Sequence, residues 1–209
     1  MVVTHRAIRM DLLRLVTGLD QLGPAAAPAV RARAIGRYTA ALLTEIRIHH
    51  RNEERIVWPM IAATAGPAVD LAPLTDDHLA IEAVIGQVGR ALAGGGRSKR
   101  TSGLRASLRQ LQDMLDEHIA DKEQQTFPAI QRYLPADAYR WCEREIQRKR
   151  LLRRGAGFNA SWLARYAQTE ELHQLLTAGG WAAPFLLTAS RPGYGRLERR
   201  AFAASRAHP

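Results

Sequence analysis

An all-α fold is what this sequence predicts: an antiparallel up-and-down four-helix bundle over residues 1–134, followed by a basic helical extension over residues 135–209. Three observations carry that prediction. Apolar residues recur every three or four positions through four successive segments, the spacing that lines one face of a helix. Clusters of glycine and proline separate those segments, and no stretch shows the strict alternation of a half-buried strand. Short connections make sequential helices neighbours of opposite direction, which is the up-and-down bundle.

The first helix is expected from about Thr4 to Leu22, with Ile8, Leu12, Leu15 and Leu19 in line, and stops at Gly23-Pro24. The second runs from about Pro28 to Thr64, with Leu42, Ile46, Val57 and Met60 on one face, and Gly66-Pro67 closes it. Pro59 has no N–H to donate, so a bend is expected there. The third spans roughly Leu71 to Ala93, with Leu74, Ile81, Ile85, Val88 and Leu92, and ends at Gly94-Gly95-Gly96. The fourth starts after Ser102 and carries Leu104, Leu108, Leu111 and Leu115 to about Tyr133, before Pro135. A fifth is expected from Ala136 to about Arg153, ahead of Gly155-Ala156-Gly157. Beyond it, apolar clusters around Trp162, Leu175, Trp181 and Phe185 point to further helix.

A chain of 209 residues can bury a core without staples. Its one cysteine, Cys142, cannot close an internal disulfide and has no metal-ligand partner at a suitable spacing. No leader-like pattern and no apolar run of about 20 residues is present, so a cytoplasmic protein without a transmembrane segment is expected. The net charge of +10 is uneven: residues 142–209 hold 12 Arg/Lys against 5 Asp/Glu. That asymmetry raises a second expectation, a tail contacting nucleic acid or an acidic partner through Arg148-Lys149-Arg150, Arg153-Arg154, Arg196 and Arg199-Arg200. Nucleophilic triads, phosphate loops and nucleotide fingerprints are all missing. Any catalysis would therefore be metal-centred.

Histidine is a poor filler for a bundle seam, yet one falls on the apolar line of each helix: His5, His49, His78 and His118. The line Leu42, Ile46, His49, Glu53, Val57 also selects His49 over His50, which lies about 100° further round and is expected to face away. Depth agrees too. Counted from the shared turns, paired histidines differ by about two residues or fewer, or ~3 Å at ~1.5 Å per residue. Neutral imidazoles in an apolar seam would each need partners for two ring nitrogens, whereas one cation satisfies a nitrogen from every ring.

Carboxylates complete the pattern. Glu53 lies four residues after His49, and Glu82 four after His78, so each sits about 40° round and ~6 Å along from its histidine. Glu82 is at the edge of its stripe, leaving open a ligand or a surface residue. Imidazole with carboxylate and no thiolate favours iron or manganese over structural zinc.

The run His49-His50-Arg51-Asn52-Glu53-Glu54-Arg55-Ile56-Val57-Trp58-Pro59 resembles the histidine-histidine-glutamate signature of hemerythrin-like cation-binding domains. His118-Ile119-Ala120-Asp121-Lys122-Glu123-Gln124-Gln125-Thr126-Phe127-Pro128 reads as a second copy, and His5 and His78 fit the two solitary histidine positions. The resemblance covers about Thr4 to Tyr133 and implies a carboxylate-bridged centre of two irons per chain, manganese remaining open, with a position where dioxygen, peroxide or nitric oxide binds. By matching positions it implies His5, His49, Glu53, His78 and His118 as ligands, with Glu123 as a further bridge. The second copy departs by placing Lys122 where a glutamate is usual, a cation compatible with two ferric ions only if its stem carries the ammonium to the surface. Oxygen-carrying relatives place a fifth histidine where this chain has Glu82, and a carboxylate there would favour peroxide chemistry or sensing over reversible oxygen carriage.

The expected function is a redox or oxygen responder or detoxifier, with catalase-like peroxide removal as its enzymatic form. His173 and His208 are expected at the surface, Trp58 and Phe127 in packing roles, and Tyr38 and Tyr133 have no assigned place.

Overall fold

The computed structural model describes residues 2–21, 29–94 and 97–202, and these are helical with no strand among them. Gly23-Pro24, Gly95-Gly96 and His208 lie outside the described residues. Helix α1 spans Val2–Asp20, α2 Ala29–Asn52, α3 Trp58–Ala65, α4 Ala72–Ala93 and α5 Arg97–Tyr133. The extension supplies α6 Ala136–Leu151, α7 Ala156–Tyr166, α8 Thr169–Ala178 and α9 Ala182–Phe202. Helix α5 begins about a turn and a half earlier than Ser102, because nothing in Arg97–Thr101 breaks a helix.

Helices α1, α2, α4 and α5 close a ring of contacts, α1 against α2 and α5, and α4 against the same two. Opposite senses follow from the pairings: near the start of α1 His5 meets Glu123 late in α5, while at the other end Arg105 donates to the Leu19 carbonyl. Ile8, Leu12, Leu15, Leu42, Ile46, Ile81, Ile85, Val88, Leu108, Leu111 and Leu115 are buried together inside the ring. Burying each such side chain is worth ~1.5–3 kcal/mol in transfer from water.

Between α2 and α3 the helix widens into one π-helical turn, Glu53–Val57, where Trp58 N–H donates to the Glu53 carbonyl five residues back. The bend expected at Pro59 takes this form: a residue without an N–H interrupts the regular ladder, and the extra residue is absorbed just before it. Val57, Trp58 and Ile61 then join Leu74 in a second apolar cluster capping the histidine end of the bundle.

The extension packs on the bundle. Trp162 and Leu163 of α7 and Ala201 of α9 belong to the same core as α1 and α2. A polar knot pins this contact. Asp11, fully buried, accepts from Tyr38 Oη (2.6 Å), Trp162 Nε1 (2.8 Å), Arg14 Nη1 (2.9 Å) and Tyr166 Oη. Nearby, Asn159 and Arg153 hold the buried Glu45, and Arg6 grips Glu171 of α8 through two bonds.

These contacts also redirect the basic clusters. Arg148 and Lys149 pair with Glu145, Arg153 with Glu45, and Arg14 and Arg165 with Glu198. Part of the positive charge is thus paired within the chain, and contact of the tail with nucleic acid or an acidic partner finds no support. No helix among the described residues is long and apolar enough to cross a membrane.

Candidate metal centre

Each histidine arrives by the helix register that placed it on the seam. His5 lies in the first turns of α1, His49 in the last turn of α2, His78 in the second turn of α4 and His118 midway along α5. All four are buried and their inner nitrogens meet in pairs: His5 Nε2 is 3.1 Å from His49 Nε2, and His78 Nε2 is 3.1 Å from His118 Nε2.

Carboxylates hold three of the rings from behind. Nδ1 of His5 donates to Glu123 Oε1 (2.9 Å), that of His78 to Glu54 Oε1 (2.8 Å), and that of His118 to Asp77 Oδ2 (3.0 Å). A carboxylate on one ring nitrogen fixes the tautomer and leaves the other nitrogen as an unprotonated donor, the usual support behind a metal-ligating imidazole. Glu123 therefore sits behind His5 and is also 3.6 Å from Arg9, rather than bridging at the centre.

Glu53 lies between the two pairs, almost without exposure. Its Oε1 is 3.1 Å from His49 Nε2 and 4.0 Å from His5 Nε2, with no hydrogen aimed at it. Its Oε2 accepts from Lys122 Nζ at 2.8 Å and is 3.5 Å from His78 Nε2. Burial opposes ionisation of this carboxyl, but the His49 imidazole and the Lys122 ammonium outweigh it, holding Glu53 well below the usual carboxylate range. Lys122 is 0% exposed, so its stem does not carry the ammonium to the surface; the nearby Glu53 carboxylate keeps it inside.

Two other expectations are corrected. His50 does not face away: it is buried, its ring is stacked 4.0 Å from that of His78, and its Nε2 has no hydrogen-bond partner. In a square bundle each helix has two neighbours about 90° apart, so the ~100° step from His49 to His50 aims one at α1 and the other at α4. Glu82 is no part of the cluster. It is 53% exposed and held by Arg47 of α2 at 2.7–2.9 Å, the stripe edge proving to be its outer edge.

Two donor groups result, His5–His49–Glu53 and His50–His78–His118, the ligand atoms within each lying within 4.8 Å of one another. The donor atoms of the first group stand 3.1, 3.1 and 4.0 Å apart, close enough for one cation with bonds of ~2.0–2.2 Å to be held by all three. Burial holds His49, His50 and His78 below their ordinary range and His118 down to about 4, so neutral, ligand-ready imidazoles prevail at pH 7.

The family model of the hemerythrin HHE cation-binding domain matches residues 1–136, the stretch that holds these histidines and Glu53. The chain belongs to that family. Comparison with curated proteins and with solved structures returned no match. Within this hemerythrin domain Trp58 and Phe127 stack beside His78 and His5 and shield the rings from water. Tyr38 turns its hydroxyl to Asp11 and Tyr194, Tyr133 is partly exposed beside Arg132, and His173 is exposed. Cys142 is buried, with burial pushing its thiol up, and no ligand group includes it. A cavity of about 240 Å³ opens onto His49 and Glu53 beneath α6 and α8, lined also by Thr4, Asn52 and Arg150.

Proposed function

We propose that this hemerythrin-family chain is a non-haem metal protein, with iron as its working ion and manganese as the alternative, that binds or turns over dioxygen, peroxide or nitric oxide as a redox responder or detoxifier. The observation that carries this reading is the inward aim of the imidazole Nε2 atoms around Glu53, with three rings anchored through Nδ1 by carboxylates. The proposed ligands are drawn from the two donor groups, His5, His49 and Glu53 on one side and His50, His78 and His118 on the other. Bound there, iron would supply a redox-active centre with positions for a small exchangeable ligand.

The chain's own residues prepare that chemistry. Glu123, Glu54 and Asp77 keep protons on the outer ring nitrogens. Trp58 and Phe127 keep bulk water from the rings, while the cavity beside His49 leaves one side open to a small molecule. Catalase-like peroxide removal is the enzymatic form of this reading, and reversible carriage is a less natural one for a centre with Lys122 inside it.

Metal analysis for iron, manganese and zinc on the purified chain, followed by absorption spectra of the iron-loaded protein with nitric oxide and with peroxide, tests the proposal. Bound iron or manganese whose spectrum responds, and its loss in His49→Ala, are expected. A chain that binds none of these ions, or only zinc without response, would refute it.

A further inference from the structure

We propose that the centre holds one divalent cation of the iron or manganese class on a two-histidine, one-carboxylate set, His5, His49 and Glu53, with the Lys122 ammonium in the place of a second cation. The inference rests on the metal-binding reading above and goes beyond it in ion count, ion position and the role of a lysine.

The two oxygens of Glu53 carry the argument. Oε1 is buried with no donor aimed at it, 3.1 Å from His49 Nε2 and 4.0 Å from His5 Nε2. A cation there satisfies it and draws on the same Nε2 atoms of His5 and His49 that now meet at 3.1 Å. Oε2 is already taken, by Lys122 Nζ at 2.8 Å. A second ion among His50, His78 and His118 would have that same oxygen, 3.5 Å from His78 Nε2, as its anionic donor. Glu54, Asp77 and Glu123 cannot substitute for it, because they bond Nδ1 on the far side of their rings.

Lys122 has nowhere else to go. Its side chain is 0% exposed, and its Nζ stands 5.9 Å from the Trp58 ring centre, under the apolar cap of the bundle. Two metal ions plus an ammonium around one carboxylate would leave several positive charges uncompensated in a dry interior, where unpaired charge is most costly. One metal ion on Oε1 and one ammonium on Oε2 share the carboxylate between them. His78 and His118 keep their Nδ1 bonds to Glu54 and Asp77.

Two imidazoles and a carboxylate that leave coordination positions open are the donor set of mononuclear non-haem iron. The open side faces the cavity of about 240 Å³ beneath α6 and α8. There Asn52 Nδ2 is buried without a partner, and Arg150 has a single bond, 3.3 Å to Thr4 Oγ1, leaving polar donors for a small oxygen-rich ligand.

The test loads the full-length chain anaerobically with Fe(II) or Mn(II) alone and measures ions per chain, with the Mn(II) EPR spectrum separating an isolated ion from a coupled pair. About one ion per chain with an isolated-ion spectrum is expected in the wild type. It should be lost in His49→Gln and retained in His118→Gln. In Lys122→Glu and Lys122→Met the count should rise to about two, with a coupled spectrum in the first. About two ions in the wild type would overturn the proposal, as would loss of the ion in His118→Gln but not in His49→Gln, or a count unmoved in both Lys122 variants. Circular dichroism checks each variant, and if the Lys122 variants do not fold, the two histidine variants and the wild-type spectrum decide. A wild type that binds neither ion defeats the functional reading itself, an outcome separate from a count of two.

Discussion

Replacing Asp11 by alanine should loosen the extension and cost the protein a large part of its stability. Asp11 is 0% exposed and gathers four donors, from Tyr38, Trp162, Tyr166 and Arg14. In the variant, Tyr38 retains Tyr194 at 2.9 Å, Tyr166 retains Arg14 at 3.0 Å, and Arg14 retains Glu198 at 2.8 Å. Trp162 Nε1, at 0% exposure, loses the acceptor it now has. Truncating one member of a buried, charge-assisted network typically costs ~3–5 kcal/mol, and domains of this kind have ~5–15 kcal/mol in all. Urea unfolding at pH 7.5 should therefore show a midpoint fall equivalent to ~3–5 kcal/mol for Asp11→Ala, and ~1–3 kcal/mol for Asp11→Asn, which keeps an acceptor. Limited proteolysis should cut α7–α9 first, while metal content in the folded fraction stays unchanged because every proposed ligand is on the bundle. A fall of less than ~1 kcal/mol in the alanine variant would refute the claim that this carboxylate pins the extension.

Glu123→Gln should weaken metal binding ~10–100-fold in a competition titration, by releasing the tautomer of His5, while Asp77→Asn, which acts only on His118, should leave it unaltered; unchanged affinity in Glu123→Gln would remove that role. Glu82→Gln should leave affinity unaltered and stability within ~1 kcal/mol, since its bond to Arg47 is at the surface. A ligand role for Glu82 would show instead as lost metal. Acid should destabilise the metal-free protein. Burial holds His118 at about 4 and His49, His50 and His78 below 6.5, so the unfolded chain takes up the protons first. Stability is then complete above about pH 6.5 and falls toward pH 4, by ~1.4 kcal/mol per pH unit for each proton the folded state refuses. A urea midpoint that stays flat from pH 7.5 to 5 would contradict this.

What the sequence made legible was what repeats with the helix period. The apolar lines and the Gly/Pro stops located the bundle helices, and a histidine interrupting each line marked the centre, because burial on a seam depends on local register alone. Features that rest on distant pairings stayed hidden. Asp11 reads as an ordinary polar residue until Trp162 and Tyr166, some 150 positions later, turn toward it. The fate of Glu82 depended on Arg47, 35 positions away, and that of Lys122 on Glu53, 69 positions away. Charge counted along the chain likewise made the extension look free, because Arg153 and Arg165 find their carboxylates only once α7 and α9 have docked.

His50 and Lys122 together explain how this centre differs from the oxygen-carrier arrangement that the signatures resemble. The imidazole that those relatives place on the third helix has a replacement here from α2, since His50 stacks on His78 and offers Nε2 to the same cluster. Five rings are thus still gathered, and imidazole supply does not separate one ion from two. The carboxylates do. Exchanging an inward glutamate for Lys122 alters the local charge by two units, and the 2.8 Å bond to Glu53 Oε2 places that change on the oxygen a second ion would need. If Lys122 is what limits the count, the second pocket of three histidines is present already, and one substitution that removes the ammonium should be enough to fill it.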